Sequence, residues 1–278
     1  MAAAKGKKLV VAAQGGLCNR LRVVLSVLAF ARGRGDVACE VVWNATRECR
    51  ARFDELFEPV EAPSFCIREG RWAERPVTRA NLHLPGLLRR LAFDGRRKNY
   101  RPDGTESLQQ LVDSHRNVYV STCYHLFDYG PAELAALRLR PALQQRVERL
   151  CASFGGRPVG VHIRRTDHRV AIEASPVGAF LTAMDRELKE RPDTAFFVAT
   201  DDEEVKSRLC SRYAGRIMVQ PIAENRRDSL AGMESAVVDL WTLARTQKIL
   251  GSYWSSFTDT AAELGHVPLE IIRQDKQR

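Results

Sequence analysis

The second half of the chain alternates short apolar runs with longer amphipathic stretches. Runs rich in β-branched and aromatic residues predict strands at 158–163, 195–199, 216–219, 248–251 and 269–272. Apolar residues at helical spacing predict helices between these strands, at 177–189, 203–213, 228–246 and 257–264. This strict alternation of strand and helix predicts a doubly wound parallel sheet.

The first half opens with the same pattern. A strand at 9–13 leads into a glycine loop at 14–20, and a helix at 21–31 and a strand at 37–43 follow. In such a βαβ unit the amino end of the helix offers unpaired amides and a partial positive charge to an anion. The adjacent glycines of the loop would let a pyrophosphate approach the backbone closely, although a purely structural tight turn also explains them.

The region 44–115 has mixed charge and no clean period. It predicts short helices at 51–56 and 84–93 and an exposed loop at 94–104. Insertions of this kind often carry the specificity for an acceptor, because loops vary while the scaffold holds its shape.

The rest of the first half returns to regular elements. A strand is predicted at 117–122, and after Gly130 one helix begins that crosses between domains near Pro141. The chain is therefore predicted to be an α/β protein with two domains, residues 1–145 and 146–278.

The composition is that of a globular protein with an excess of positive charge. Of the 278 residues, 45% are hydrophobic and 28% are charged, and the net charge of +9 comes mostly from arginine. Guanidinium groups suit phosphate and carboxylate partners, which favours an anionic ligand such as a nucleotide, although a solvated basic surface explains most of these arginines. The long basic tails that bind nucleic acid are absent, so no nucleic-acid partner is predicted.

Cysteine usage and hydropathy limit the cellular context. The 7 cysteines include no C-x-x-C pair, so neither a zinc site nor a disulfide framework is predicted. This many unpaired thiols predict a reducing compartment. No apolar run approaches the ~20 residues that a membrane span needs, and the amino end leaves no room for a signal peptide. We expect a cytoplasmic protein or a soluble catalytic fragment of a secretory-pathway enzyme.

Polar residues follow the predicted strands of the second half at the point where each strand ends. Because the carboxyl ends of parallel strands gather along one rim, adjacent arginines there suit a phosphate ligand; a surface salt bridge to Asp167 explains them equally. A serine pair before a helix can donate to a phosphate, though capping alone explains Ser256. The residues at these strand ends are His162, Arg164, Arg165 and Asp167, then Asp201 and Asp202, and then Ser255 and Ser256.

Two acidic positions have competing explanations. Asp201 and Asp202 could form a metal-binding pair, but an aspartate before Glu203 is also a good first turn for the next helix, and no divalent metal is required. Asp239 lies in an apolar helical stretch, and a buried carboxylate needs partners. The two adjacent N–H donors of a guanine ring would serve, and so would an arginine elsewhere in the chain.

Five motifs follow one another along the chain: GGLCNR (15–20), VHIRRTD (161–167), FFVATDDEEVKSRL (196–209), VVDLW (237–241) and SYWSSF (252–257). In this order they resemble the motifs of the GDP-fucose-dependent fucosyltransferases of GT-B fold. That superfamily includes α1,2-, α1,6-, nodulation-factor and protein O-fucosyltransferases. The resemblance implies two Rossmann-like domains whose parallel sheets face each other across a cleft, with acceptor binding in residues 1–145 and GDP-sugar binding in 146–278.

The resemblance also implies a reaction and a set of roles. L-Fucose would pass from GDP-fucose to a hydroxyl of a glycan or glycoprotein, with inversion at the anomeric carbon and without a metal or other cofactor. Arg164 would pair with the β-phosphate, and Arg165 would assist it or brace the loop. His162 and Asp239 correspond to guanine-reading positions. The remaining donor-site positions are Gly15, Gly16, Leu17, Cys18, Asn19 and Arg20 near the diphosphate or fucose, Ser255 and Ser256 as diphosphate donors, and Asp167, Asp201, Asp202 and Phe257.

The general base is where the chain departs from the pattern. Enzymes of the α1,6 type carry a lysine after the motif aspartate and a glutamate a few residues on; here His168 replaces the lysine, and Glu173 lies one residue further than expected. Glu173 could deprotonate the acceptor hydroxyl or be an exposed charge. Two other functions stay open: a GT-B transferase that uses another nucleotide sugar, and a non-catalytic arginine-rich binder of anions or nucleic acid.

Overall fold

The computed structural model describes residues 6–71, 86–103, 107–165, 169–220 and 228–274. These form two compact units, the first from residues 1–140 and 227–233 and the second from 141–226 and 234–278. The boundary near residue 140 lies close to the predicted division after residue 145.

The first unit is a parallel sheet with helices packed on it. Its strands are β1 (Lys7–Ala13), β2 (Val37–Val42), β3 (Phe65–Arg68), β4 (Gly95–Arg97) and β5 (Asn117–Thr122), in the spatial order β3-β2-β1-β5-β4. The described helices are α1 (Leu17–Gly33), α2 (Phe53–Leu56), α3 (Gly86–Ala92), α4 (Leu108–Ser114) and α5 (Pro131–Leu134). Strand β1 is the central strand, and its residues from Leu9 to Ala13 are buried, as a strand covered by helices on both faces requires.

The second unit repeats this architecture. Its strands are β6 (Val159–Ile163), β7 (Phe196–Thr200), β8 (Ile217–Met218), β9 (Lys248–Ser252) and β10 (Leu269–Ile272), in the order β10-β9-β6-β7-β8, all parallel. The helices are α6 (Pro141–Ala152), α7 (Arg169–Ala174), α8 (Val177–Glu190), α9 (Glu203–Arg212), α10 (Leu230–Leu243) and α11 (Ser256–Gly265). The central strand β6 is buried along its whole length, and its neighbours β7 and β9 bring their carboxyl ends to the same edge.

Two glycines set how closely α11 packs in the second unit. A Cβ at Gly265 would lie 1.9 Å from the backbone oxygen of Ala244, and one at Gly251 would lie 2.0 Å from the Thr258 side chain. Any larger residue would force the helix away from β9. The close approach places the first turn of α11 against the ends of β6 and β9.

The strands and helices predicted for the second half are confirmed, with small shifts of the ends, but α7 was not predicted. The predictions were less accurate in the first half. The predicted loop at 94–104 contains β4, which pairs with β5 at Gly95 and Val118. The single helix predicted after Gly130 is two helices, α5 and α6, because the chain between them forms a bridge from Leu139 to Phe57. Strand β3 and helix α4 were not predicted, and residues 84–85 of one predicted helix lie outside the described residues.

Within the described ranges, none of the helices combines the length and the apolar character needed to cross a bilayer.

Candidate active site

The carboxyl end of β6 is fixed to the end of β9 by one serine. The hydroxyl of Ser252 donates a 3.2 Å hydrogen bond to the carbonyl oxygen of His162 and accepts a 3.0 Å hydrogen bond from the amide of Arg164. This brace defines the backbone at the point where the chain leaves the sheet. The Arg164 side chain is half-buried and is attached to this braced backbone at the edge of the sheet.

His162 is a buried, neutral ring. It stacks on Phe257 with ring centroids 4.7 Å apart, and its Nδ1 lies 2.6 Å from the Thr258 hydroxyl. Burial lowers the pKa of His162 to about 4, because the imidazolium form cannot be solvated there. At neutral pH the ring therefore acts as a hydrogen-bonding and stacking group and not as a cation.

Two aspartates fix the loops that flank Arg165. The Asp201 carboxylate accepts a 2.7 Å hydrogen bond from the Arg165 amide, and the Arg165 guanidinium reaches the Ile172 carbonyl at 3.4 Å. Asp202 caps α9 by accepting from the amides of Glu204 and Val205 at 2.9 and 3.0 Å. The interpretation of Asp202 as part of a helix N-terminus is confirmed. The two predicted roles of Arg165 stay predictions.

The amino end of α11 carries a buried serine hydroxyl. Ser255 occupies the N-cap position with 1% of its surface exposed, and its Oγ makes no capping bond and has no hydrogen-bond partner in the described part of the chain. A buried hydroxyl without a partner costs about 1–3 kcal/mol. Ser256 is the first helical residue and is half-buried. An anion at this end of the helix would supply the missing partner and meet the free backbone amides of the first turn.

Asp239 lies on α10 as a half-buried carboxylate. It accepts a 2.7 Å hydrogen bond from Gln220, whose other side-chain atom accepts one from Arg146 at 2.7 Å. Desolvation raises the pKa of Asp239 to about 7, with the Gln220 hydrogen bond acting in the opposite direction. Its partner in this structure is thus an amide, and the carboxyl exchanges its proton near neutral pH.

Glu173 is an exposed residue of α7. Its carboxylate forms a 2.7 Å ion pair with Arg169, one helical turn earlier, and both side chains are largely in solvent. Asp167, the acidic end of the arginine motif, lies outside the described residues. The role of Glu173 as a base therefore stays a prediction.

The glycine loop belongs to the first unit and is shorter than predicted. Gly15 has φ +79°, which favours glycine, and a Cβ there would lie 2.9 Å from Asn19. Helix α1 begins at Leu17, so Leu17, Cys18, Asn19 and Arg20 form its first turn and not a loop. Leu17 and Cys18 are buried, with 7% and 3% of their surfaces exposed.

Arg20 is the largest buried charge of this loop. Only 1% of its surface is exposed; its guanidinium donates to the carbonyls of Gly15 (2.7 Å) and Asn44 and to the Thr46 hydroxyl (2.6 Å). Burial lowers its pKa, with the charged form held by these acceptors. These bonds tie the glycine turn to the chain after β2, so Arg20 holds the shape of the turn.

Several solved structures resemble this chain in fold at low sequence identity. NodZ alpha-1,6-fucosyltransferase soaked with GDP-fucose aligns over 98% of this chain and 96% of its own, with a TM-score of 0.63 and 19% identity. The chain has the GT-B fold of fucosyltransferases. A FUT1 mutant of Arabidopsis thaliana in complex with GDP aligns over 99% of this chain and 72% of its own, with a TM-score of 0.61 and 15% identity. POFUT1 in complex with GDP aligns over 98% and 99%, with a TM-score of 0.54 and 12% identity.

The comparison by fold agrees with the five motifs. The GT-B prediction is confirmed by two five-stranded parallel sheets and by these structural neighbours. No protein-family model matches the chain, and no curated protein matches it by sequence. At identities of 12–19% the neighbours establish the fold alone.

Three residues of the candidate site in the second unit were not predicted from the sequence. Ser252 braces the ends of β6 and β9, Thr258 meets the His162 ring, and Gln220 pairs with Asp239. Each is a small or neutral side chain whose partner lies far away in sequence, so no local pattern indicates the contact. Ser252 and Thr258 lie on either side of the serine pair in the sequence, and this position was the signal that could have indicated their role.

Proposed function

We propose that the protein transfers L-fucose from GDP-fucose to a hydroxyl of a glycan or glycoprotein, with inversion at the anomeric carbon and without a metal or other cofactor. The observation that carries the proposal is the buried Ser255 hydroxyl, which lacks a partner among the described residues and lies at the amino end of α11, beside the arginine-bearing end of β6. It occurs in a fold whose solved neighbours include complexes with GDP and GDP-fucose.

The leaving group is stabilised at this edge of the second sheet. A GDP leaving group gains negative charge on its β-phosphate as the bond to the sugar breaks. In our proposal the Arg164 guanidinium pairs with that phosphate, and the Ser255 hydroxyl and the amides of the α11 terminus donate to the diphosphate. Preformed donors of this kind stabilise developing charge without reorganisation at the moment of reaction, which lets the chemistry proceed without a metal.

The guanine base is recognised by Asp239 and His162. An ionised Asp239 accepts from the two N–H donors of guanine, which satisfies a carboxylate whose only described side-chain hydrogen bond comes from Gln220. His162, neutral and stacked on Phe257, offers a fixed hydrogen-bonding edge. This pairing predicts a preference for guanine over uracil or adenine nucleotides.

The resemblance also implies that the glycine turn of the first unit takes part in donor binding. The lack of a side chain at Gly15 and Gly16 would let a diphosphate or a fucose approach their backbone closely, and Asn19 lies against Gly15 in the first turn of α1. Arg20 is a positioning residue, because its guanidinium is occupied by backbone and hydroxyl acceptors of its own unit.

The proposal is tested with GDP-fucose, GDP-mannose and UDP-glucose, each supplied with and without a chelator. We expect GDP release and sugar transfer with GDP-fucose alone, unaffected by EDTA. Turnover with only the uracil donor would overturn the assignment, and turnover with GDP-mannose would change the sugar. Arg164→Ala should lower kcat about 100- to 1000-fold, as removal of one charge-stabilising donor does, whereas the exposed Arg208→Ala on α9 should match the wild type.

The base is tested separately. If Glu173 deprotonates the acceptor, Glu173→Gln should lower kcat about 100-fold or more without weakening GDP binding. Arg169→Gln serves as the control, because it removes the same ion pair and leaves the carboxylate in place. Equal kcat in the wild type and the Glu173 variant would exclude this residue as the base.

A further inference from the structure

A pocket rich in positive charge lies beside α3 in the first unit. Its cavity measures about 390 Å³. Five of the seven described residues that line it are cationic, and none of the seven is acidic. We call it the cationic pocket, and its described lining residues are Gly86, Leu87, Arg89, Arg90, Arg96, Arg97 and Lys98.

The nearest acidic residue in sequence is already engaged with the backbone. Asp94, in the short connection between α3 and β4, accepts from the amides of Gly95, Arg116 and Asn117 at 3.1, 2.9 and 2.7 Å. These bonds hold its carboxylate against the start of the strands. Its hydrogen-bonding capacity is therefore directed to the backbone and away from the guanidinium groups of the cationic pocket.

Two of the arginines are held in place by the fold. Arg96 donates to the carbonyls of Arg90 and Phe93 at 3.3 and 2.6 Å, which fixes its guanidinium at the carboxyl end of α3. Arg89 lies over the Tyr119 ring, with 5.8 Å between the guanidinium carbon and the ring centroid. Preorganised guanidinium groups lose less side-chain entropy when they bind a planar or tetrahedral anion.

Arg89 also has an unmet hydrogen-bond donor. Its Nη1 is buried and has no hydrogen-bond partner among the residues that the structure describes. A buried donor without an acceptor costs about 1–3 kcal/mol, and more when it is charged. An anion in the cationic pocket would supply the acceptor oxygen and offset the mutual repulsion of the five cations.

The chain leads from the strand residues of the cationic pocket to the same sheet edge as the glycine turn. After β4 the chain continues to Tyr100, whose amide donates to the Ser121 carbonyl at 2.9 Å, while the Gln14 amide donates to the adjacent Thr122 carbonyl at 2.8 Å. Both lie at the carboxyl end of β5, on its two sides. Two strand spacings amount to ~10 Å, so one glycan can reach from the glycine turn towards the cationic pocket.

We propose that the cationic pocket binds an acidic group of the acceptor, so that the acceptor is a glycan carrying a phosphate, sulfate or carboxylate. The role in the transfer reaction rests on the proposed function, whereas the binding of an acidic sugar does not. The concave shape and the buried donor of Arg89 favour a discrete anionic group. An anionic membrane surface is the competing occupant, because Leu87 and Leu91 on α3 are 71% and 77% exposed.

The test uses a pair of matched double variants of the full chain. Arg90→Gln with Lys98→Gln removes two exposed cations from the cationic pocket and spares Arg89 and Arg96, which make structural contacts. Lys189→Gln with Arg208→Gln removes two exposed cations from helices of the second unit and is the control for net charge.

Binding is measured first, by NMR titration with glucose 6-phosphate and glucose 6-sulfate and with glucose as the neutral control. Excess GDP is present to occupy the donor site. Loss of two cations should weaken binding of the acidic sugars about tenfold, and the control variant should bind them like the wild type. Equal affinity in the pocket variant and the wild type, or equal losses in both variants, would refute the site.

Transfer and vesicle measurements separate the remaining outcomes. With sulfated and unsulfated forms of one acceptor glycan, the wild type should show the lower KM for the sulfated form, and the pocket variant should lose this preference. No transfer to any acceptor, with acidic-sugar binding intact, would refute the proposed function and leave the anion site standing. Sedimentation with phosphatidylserine vesicles, abolished by Leu87→Ser with Leu91→Ser, together with no acidic-sugar binding, would assign the surface to a membrane and overturn the proposal.

Discussion

Asp239 gives the proposed donor site a pH dependence that can be worked out from the structure. Its pKa is raised to about 7 by desolvation, which outweighs the hydrogen bond from Gln220 and the positive charges of Lys206 and Arg146. The N1–H and N2–H groups of guanine are two adjacent donors, so a carboxylate that accepts from both must be ionised. Binding of the base must therefore compete with a proton.

The size of the effect follows from that pKa. With a pKa of about 7, roughly one-eleventh of the Asp239 carboxyl groups are ionised at pH 6 and roughly ten-elevenths at pH 8. The affinity for the guanine base should therefore rise about tenfold between these pH values, or ~1.4 kcal/mol. At pH 7 the binding of guanosine should release about half a proton, because about half of the carboxyl groups are protonated before binding.

Isothermal titration calorimetry at pH 6, 7 and 8, in two buffers with different ionisation enthalpies, measures both quantities. Guanosine is titrated beside GDP, because a terminal phosphate itself titrates near pH ~6. Asp239→Asn is the matched control and should bind more weakly, with no proton release from this position. An affinity that stays flat or falls between pH 6 and 8, or the same proton release in the Asn variant, would refute the assignment of Asp239 to guanine.

The raised pKa of Asp239 also affects the free energy of unfolding of the unliganded protein. Rising pH should lower this contribution, whereas it should strengthen guanine binding. Because the folded-state pKa of Asp239 lies above that of an unfolded aspartate, the folded chain binds more protons between pH ~4 and ~7. The contribution of Asp239 to the free energy of unfolding is therefore largest at low pH and falls as the pH rises through this window. The Asp239→Asn variant should lack this contribution. Between pH 5 and pH 8 the melting temperature of the wild type should therefore fall relative to that of the variant.

Three further predictions concern Ser255, Arg20 and His162. Ser255→Ala should raise the free energy of unfolding of the unliganded protein by ~1 kcal/mol, since it removes a buried unpaired hydroxyl, and should weaken GDP binding several-fold, with Ser256→Ala as the comparison in melting and titration experiments. Arg20→Lys should lower the free energy of unfolding by about 2–3 kcal/mol in urea titrations, because lysine cannot bond all three acceptors of the guanidinium; a loss of GDP affinity without destabilisation would contradict this. For His162, whose folded-state pKa is about 4, the free energy of unfolding should fall by about 3 kcal/mol as the pH drops from ~6.5 towards 4, and His162→Asn should flatten that part of the pH profile.

Much of the second unit could be predicted from the sequence because its pattern is local. The run before His162 is apolar and β-branched, and the helix that begins at Glu203 has its capping aspartate directly before it, so strand, turn and helix are encoded within a few residues. The placement of Arg164, Ser255 and Asp201 along one edge then follows from the general rule for parallel sheets. The first unit was predicted less well, because β3 and β4 are short edge strands that depend on their neighbours more than on their own residues.

What a side chain contacts was decided by the tertiary structure. Local pattern alone was enough to predict the alternating elements of the second sheet, the glycine turn and the arginine-bearing strand end, because hydrophobic period, glycine and charge are properties of neighbouring residues. It could not determine that Arg20 is buried against Asn44, that Gln220 pairs with Asp239, or that the Ser255 hydroxyl has no partner. Those outcomes depend on which elements the chain packs together, and burial then sets the cost of each unpaired group and the pKa of each charge.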